Sequence, residues 1–192
     1  VGRSDFDDQP RLLGQSLNLQ STFQANVPVS NGTYGNLILS RWAVGSTHRI
    51  SLKRGIRKSR GAQLIQVETP EGALHLVNTH LGLDERERHW QIDFLLDHEL
   101  FQSSSVMPTF IAGDFNDWRN TLAEQSLANH GFQQVTSPPS EYRSFPSWLP
   151  VGGLDKVFVR GEVTTERVKV VRTSLARVAS DHLPIVVDFS LK

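Results

Sequence analysis

Apolar residues along this chain come in short runs broken by Gly, Ser, Pro or charged residues, a pattern of many short strands with few helices. Phe23 to Val27, Leu37 to Leu39, Ile50 to Leu52, Leu64 to Val67 and Leu74 to Val77 are predicted strands, the last two joined by a Pro70-Glu71-Gly72 turn. Asp84 to Phe101 is the one long helical stretch, opened by Glu85, Arg86, Glu87 and Arg88, with Trp90, Phe94, Leu96 and Leu100 lining one side. Met107 to Ala112 is then a buried strand, Leu122 to His130 a helix closed by Gly131, and Leu154 to Val159, Val163 to Val171 and Pro184 to Leu191 complete the strands. At the other end, residues 1–10 are polar and Asp-rich, and Gln9 to Leu19 predicts a short helix burying Leu12, Leu13 and Leu17. The Pro-rich stretch Ser137 to Pro150 is too short for a linker and reads as a loop. No repeat or composition shift divides the chain, so residues 1–192 are expected to form one α/β domain.

Composition adds limits. With 38% hydrophobic and 21% charged residues, the chain has the make-up of an ordinary globular protein. Its apolar runs are too short to span a bilayer, and no basic-then-apolar leader is visible. The lack of Cys excludes disulfides, thiolate metal sites and a Cys nucleophile, and points to a reducing, cytoplasmic setting. Lys plus Arg equal Asp plus Glu at 20 each, which argues against a protein gripping long DNA through its backbone. One local exception is basic: Lys53, Arg54, Arg57, Lys58 and Arg60 crowd together. They form either a solvated hairpin or a docking patch for a phosphate-rich or anionic-lipid substrate.

Chemistry-bearing residues gather at the ends of apolar runs, where α/β folds place their sites. The stretches are Asn78-Thr79-His80, Gly113-Asp114-Phe115-Asn116, Gly153-Leu154-Asp155 and Ser180-Asp181-His182. Asp114 and Asn116 stand two apart, so strand alternation would send both to one face while Phe115 turns inward. A carboxylate there can orient or deprotonate water, and a neutral amide can donate to a phosphoryl oxygen. The same tetrapeptide also suits a turn closed by an Asx hydrogen bond.

In this order, and preceded by Tyr34-Gly35-Asn36-Leu37-Ile38-Leu39-Ser40-Arg41, these stretches resemble the endonuclease/exonuclease/phosphatase superfamily, closest to its small bacterial members. The resemblance runs from about Gly35 to Lys192. It implies a deoxyribonuclease I-like four-layer sandwich of two mixed β-sheets flanked by helices. It also implies divalent-metal-dependent hydrolysis of a phosphate ester by in-line attack of water. The expected catalytic set is Asp114, Asn116, His182, Asp155 and His80, with Asp155 fixing the His182 tautomer. Asn36, His80 and Asn116 are expected to bind substrate, and Asp181 to face the metal, Mg²⁺ or Mn²⁺. Whether Asp114 or His182 is the base stays open. The substrate could be a nucleotide, a phospholipid, an inositol phosphate or a nucleic acid.

Two departures stand out. Nothing before Tyr34 matches the family's Asn-bearing strand, and no Gln-Glu pair supplies its metal-binding Glu. The resemblance therefore implies a domain missing its first strand–helix–strand, with weak or absent metal binding, whose sheet a partner chain or N-terminal fragment would complete. Asp5, Asp7 and Asp8 are read as solvated loop acids. The alternative function is a non-catalytic fragment or interaction module of the same fold. Gly152-Gly153 also replaces the larger residues that many relatives carry before the Leu-Asp pair.

Overall fold

The computed structural model describes residues 7–29 and 31–192; Asp5 lies outside the described residues. Ten strands and four α-helices follow one another. They are α1 (Gln9–Leu17), β1 (Gln20–Val29), β2 (Gly32–Ser40), β3 (Ala43–Ser51), β4 (Gly61–Thr69), β5 (Gly72–His80), α2 (Glu85–Asp97), α3 (Glu99–Gln102), β6 (Thr109–Asp114), β7 (Gln133–Gln134), β8 (Asp155–Arg160), β9 (Val163–Val170), α4 (Ser174–Ala179) and β10 (Ile185–Leu191). A π-helical turn, Ala123–Leu127, lies between β6 and β7.

The central sheet is mixed, with strand order β3-β4-β5-β6-β8-β7 and one parallel pair, β5 with β6. Strand alternation divides its residues between two faces. Val77, Ile111 and Phe158 pack against Ile92, Leu95 and Leu96 of α2, Phe101 of α3, and Leu122 and Leu127. Leu76, Phe110 and Val157 look the other way, toward Val187, Phe189 and Leu191 of β10. That second face is covered by two antiparallel ribbons, β1–β2 and β9–β10. The α/β sandwich is thus the expected one, but its second layer consists of two ribbons rather than one mixed sheet.

The β1–β2 ribbon docks through amides. Gln24 Nε2 donates to the Ile50 carbonyl at 3.3 Å, Gln63 Nε2 to Thr22 at 2.7 Å, and Asn78 Nδ2 to Leu37 at 3.1 Å. Both strands extend beyond the apolar runs Phe23 to Val27 and Leu37 to Leu39 that predicted them.

Three local expectations change. Leu12, Leu13 and Leu17 of α1 are exposed, and Gly14 is the residue of that helix that is buried. Helix α2 starts where its charges suggest, with Asp84 accepting from Glu87 N–H at 2.9 Å, but it ends at Asp97. His98 adopts an extended backbone, and its Nδ1 accepts from Leu100 N–H at 3.2 Å to start α3. The buried side of α2 is Gln91, Ile92, Leu95 and Leu96, while Trp90 and Phe94 stack on each other on the outer side with centroids 5.1 Å apart. Aromatic bulk was the misleading signal, because stacked rings stay stable at a surface.

Candidate active site

Backbone register brings the first three groups together. Parallel pairing sets His80 of β5 opposite Asp114 of β6, and antiparallel pairing sets Asp114 opposite Asp155 of β8. All three share the parity of Leu76, Phe110 and Val157, so they stand on the ribbon side of the sheet at one end. Gly113 makes the close pairing possible. Its φ is +145°, and a Cβ there would lie 1.8 Å from the Thr79 carbonyl oxygen.

His182 arrives from the loop between α4 and β10. That loop is pinned by Leu183 N–H donating to the Ser144 carbonyl at 2.9 Å and by Ser147 N–H donating to the Asp181 carbonyl at 2.8 Å. The result is a continuous line of polar groups. His80 Nε2 lies 3.4 Å from Asp114 Oδ2, and His182 Nε2 lies 3.9 Å from the same oxygen. His182 Nδ1 is 2.7 Å from Asp155 Oδ2, which also accepts from Ser144 Oγ. The Phe145 ring leans on His182 with centroids 4.7 Å apart, and Trp118 meets Phe145 edge-on.

Electrostatics differentiates the members. The hydrogen bond that His182 donates to Asp155 raises the His182 pKa above its ordinary 6.5, with burial opposing it and the charges of Asp155, Asp114 and Asp181 adding to the rise. Burial lifts the Asp114 carboxyl above its usual range, assisted by Asp155 and opposed by the Asn116 N–H, His182 and Arg60. His80 is pushed down to about 4 by burial and by the positive charges of Arg60 and Lys58. It is therefore a neutral imidazole near pH 7, suited to hydrogen bonding and not to donating a proton from an imidazolium.

Asn116 departs from simple alternation. Strand β6 stops at Asp114, and Asn116 takes a left-handed backbone with φ +50°. Its N–H donates to Asp114 Oδ1 at 2.9 Å and its Nδ2 to the Leu81 carbonyl at 3.0 Å. The Asx turn and the site therefore coexist, and Asn116 steadies the carboxylate. Asn36 is buried, with Nδ2 donating to the carbonyls of Gly61 at 2.9 Å and Asn78 at 3.1 Å. Both its amide protons serve the backbone, so it ties β2 to the central sheet and has none left for a phosphate.

Asp181 is exposed and lines a cleft of about 420 Å³ with Asp7, Leu13, Phe23, Tyr34 and Leu37. A hard cation takes six or more oxygens. Among the described residues no group of three or more His, Asp or Glu side chains is arranged to hold a metal ion. The described donors do not fit a complete Mg²⁺ or Mn²⁺ site.

Sequence reasoning missed Ser144 and Phe145, which sit in the Pro-rich loop read only as a rim. It also missed the buried set under the Asp114 turn. Lys156 Nζ donates to Asn120 Oδ1 at 2.8 Å and the Gly153 carbonyl at 2.9 Å, while Arg88 lies 3.8 Å from Asp117. Burial pushes Lys156 down to about 8, against the charges of Asp117 and Asp155.

The molecule is an α/β sandwich whose mixed sheet carries an acid–imidazole line at one end. The model of the Endonuclease/Exonuclease/phosphatase family matches residues 3–182, and the chain belongs to that family. It is 29% identical to the uncharacterized protein YbhP of Escherichia coli K12 over 189 residues, covering 94% of this chain and 72% of the relative. An endonuclease/exonuclease/phosphatase structure from Beutenbergia cavernae superposes with a TM-score of 0.77 at 21% identity, over 96% of this chain and 57% of its own. This chain thus spans little more than half of that protein. The mannosyl-6-phosphatase of Bacteroides thetaiotaomicron superposes with a TM-score of 0.73 at 14% identity, over 95% of this chain and 81% of its own.

Proposed function

We propose that this chain hydrolyses phosphate esters by in-line attack of water on phosphorus. The observation that carries the reading is the unbroken line His80–Asp114–His182–Asp155–Ser144 at one sheet end. Asp114, partly buried and more basic than an ordinary carboxylate, orients the water and takes its proton. His182, held toward its imidazolium form by Asp155, balances negative charge developing on the phosphoryl oxygens. His80 contributes a neutral hydrogen bond, and Asn116 fixes Asp114. No step is routed through a cation. Dependence on Mg²⁺ or Mn²⁺, with Asp181 as one ligand, is part of the proposal and is decided by assay. Among the described residues no helix is long and apolar enough to cross a membrane. A cytoplasmic setting belongs to the same proposal, supported by the Cys-free sequence, and cell fractionation tests it.

The test is release of p-nitrophenol from bis(p-nitrophenyl) phosphate and p-nitrophenyl phosphate, with EDTA, Mg²⁺ or Mn²⁺. Wild type should turn over, and His182→Ala or Asp114→Ala should each lose on the order of a hundredfold. A second reading, an interaction module of the same fold, draws on the incomplete cation site. Folded protein without turnover under any of these conditions would favour it.

A further inference from the structure

Three segments meet on the rim of the site. Trp118 and Arg119 follow the Asp114 turn, residues 142–152 belong to the Pro-rich loop, and residues 172–180 carry α4. Their contacts are direct. Ser147 Oγ donates to the Arg177 carbonyl at 3.0 Å, and Arg172 Nη2 donates to the Arg143 carbonyl at 3.4 Å. The Trp118 and Phe145 ring centroids lie 6.2 Å apart. Through Phe145, whose ring leans on His182, the rim borders the acid–imidazole line.

Large apolar side chains crowd the outside of this rim. Trp118, Trp148, Leu149, Val151, Leu175 and Val178 are each more than half exposed. On α4 the arrangement follows from helix geometry: Ala176 is buried, while Leu175 and Val178, three residues apart, share an outward face. The charges beside them have one sign. Arg119, Arg143, Arg172 and Arg177 stand in these segments and no Asp or Glu does, although the whole chain balances at zero. Arg119 lies 3.7 Å from Glu85, and Glu141 and Asp181 border the segments. A contiguous exposed apolar patch marks an interaction surface. At an anionic bilayer, indole rings sit at headgroup level, aliphatic side chains enter the acyl boundary, and each arginine gains from the negative surface. A nucleic acid would stack on the two indoles but offers nothing to the four aliphatic side chains.

We propose that this rim seats the protein on an anionic phospholipid bilayer, with Trp148 and Leu149 entering the interface and the arginines meeting headgroup phosphates. Docking stands on the rim alone; that it presents lipid phosphates to His182 rests on the phosphoesterase reading. Sedimentation with vesicles of phosphatidylcholine and phosphatidylglycerol tests it without turnover. Wild type should bind these vesicles, bind phosphatidylcholine alone more weakly, and be released as salt rises. Trp148→Ser with Leu149→Ser should weaken binding about tenfold or more, as for the loss of two buried apolar side chains. Arg172→Gln with Arg177→Gln should weaken it about tenfold. Val106→Ser, at an exposed apolar position before the opposite end of β6, should bind like wild type. Circular dichroism checks folding; should the Trp148 and Leu149 variant fail to fold, Leu175→Ser with Val178→Ser carries the test, with the same loss expected. No vesicle binding by wild type, wild-type binding in a folded rim variant, or equal weakening by Val106→Ser would each overturn the assignment. So would rim-dependent binding of a single-stranded oligonucleotide, or rim-dependent self-association, in place of vesicle binding. Rim-dependent vesicle binding without hydrolysis of any phosphate ester would leave the docking surface standing and sink the hydrolase reading. Hydrolysis of the p-nitrophenyl esters without vesicle binding would do the reverse.

Discussion

Replacing Asp155 by Asn exchanges one carboxylate oxygen for an amide group and keeps the side chain's shape. The amide oxygen can still accept from Ser144 or His182, so what is removed is charge. At 2.7 Å the His182–Asp155 pair has the length of a charge-assisted bond. Such bonds contribute roughly 1.5–3 kcal/mol. About a quarter of each side chain is exposed, at 24% and 25%, so screening places this pair at the lower end. For a chain of this length each kcal/mol moves Tm by roughly 2–4 °C, so about 1.5 kcal/mol corresponds to a loss of about 3–6 °C. The sign follows from linkage. Asp155 raises the folded-state pKa of His182 above 6.5, so the stabilisation is complete below that value and is lost as pH rises through the folded pKa. The Tm gap between wild type and Asp155→Asn should therefore be largest near about pH 6 and shrink toward about pH 9. Differential scanning calorimetry at both pH values reads the gap, and NMR titration of the His182 ring should show its pKa falling back toward 6.5. A pH-independent gap, or an unchanged His182 titration, would refute the coupling.

Other expectations follow from single contacts. Gly113→Ala would set a Cβ 1.8 Å from the Thr79 carbonyl oxygen at φ +145°, and should cost about 3 kcal/mol or more in urea unfolding. Lys156 has a folded pKa of about 8 against an ordinary 10.5, so the penalty of burying its charge is present below pH 8 and relieved as pH rises toward 10.5. Wild-type stability measured by urea unfolding at about pH 8 and pH 10 should show this rise, and Lys156→Met should show less of it. His80→Gln, which keeps a neutral donor, should retain activity within about tenfold of wild type, whereas His182→Gln should lose about a hundredfold in kcat/KM.

The strands were legible because most carry an apolar face against one of the two cores. The motif residues were legible because they end those strands, and pairing register converts sequence-distant endings into neighbours. What stayed hidden has physical causes. The amide-bridged docking of β1–β2 hid the ends of both strands, which run well beyond the predicted Phe23 to Val27 and Leu37 to Leu39. Leucines spaced for a helix do not say whether anything covers them, and those of α1 face solvent. Helix α4 is a single short stretch capped by Thr173, which accepts from Ala176 N–H at 3.1 Å, too brief for periodicity to reveal. Ser144 reaches Asp155 only because Phe145 and Ser144 both bond to Gly152 across a loop, a tertiary contact without a local signature. The course of Arg57 in the basic loop is likewise decided by Glu87 of α2 and its capping residue Asp84, some thirty residues on.

The central claim is that water attacks phosphorus in this site. Turnover of bis(p-nitrophenyl) phosphate in oxygen-18-labelled water, followed by phosphorus NMR and mass analysis of both products, tests it most directly. The account predicts the label in the phosphoryl product and none in the p-nitrophenol, with His182→Ala suppressing incorporation. Label in the p-nitrophenol, or turnover and labelling unchanged in His182→Ala, would contradict it.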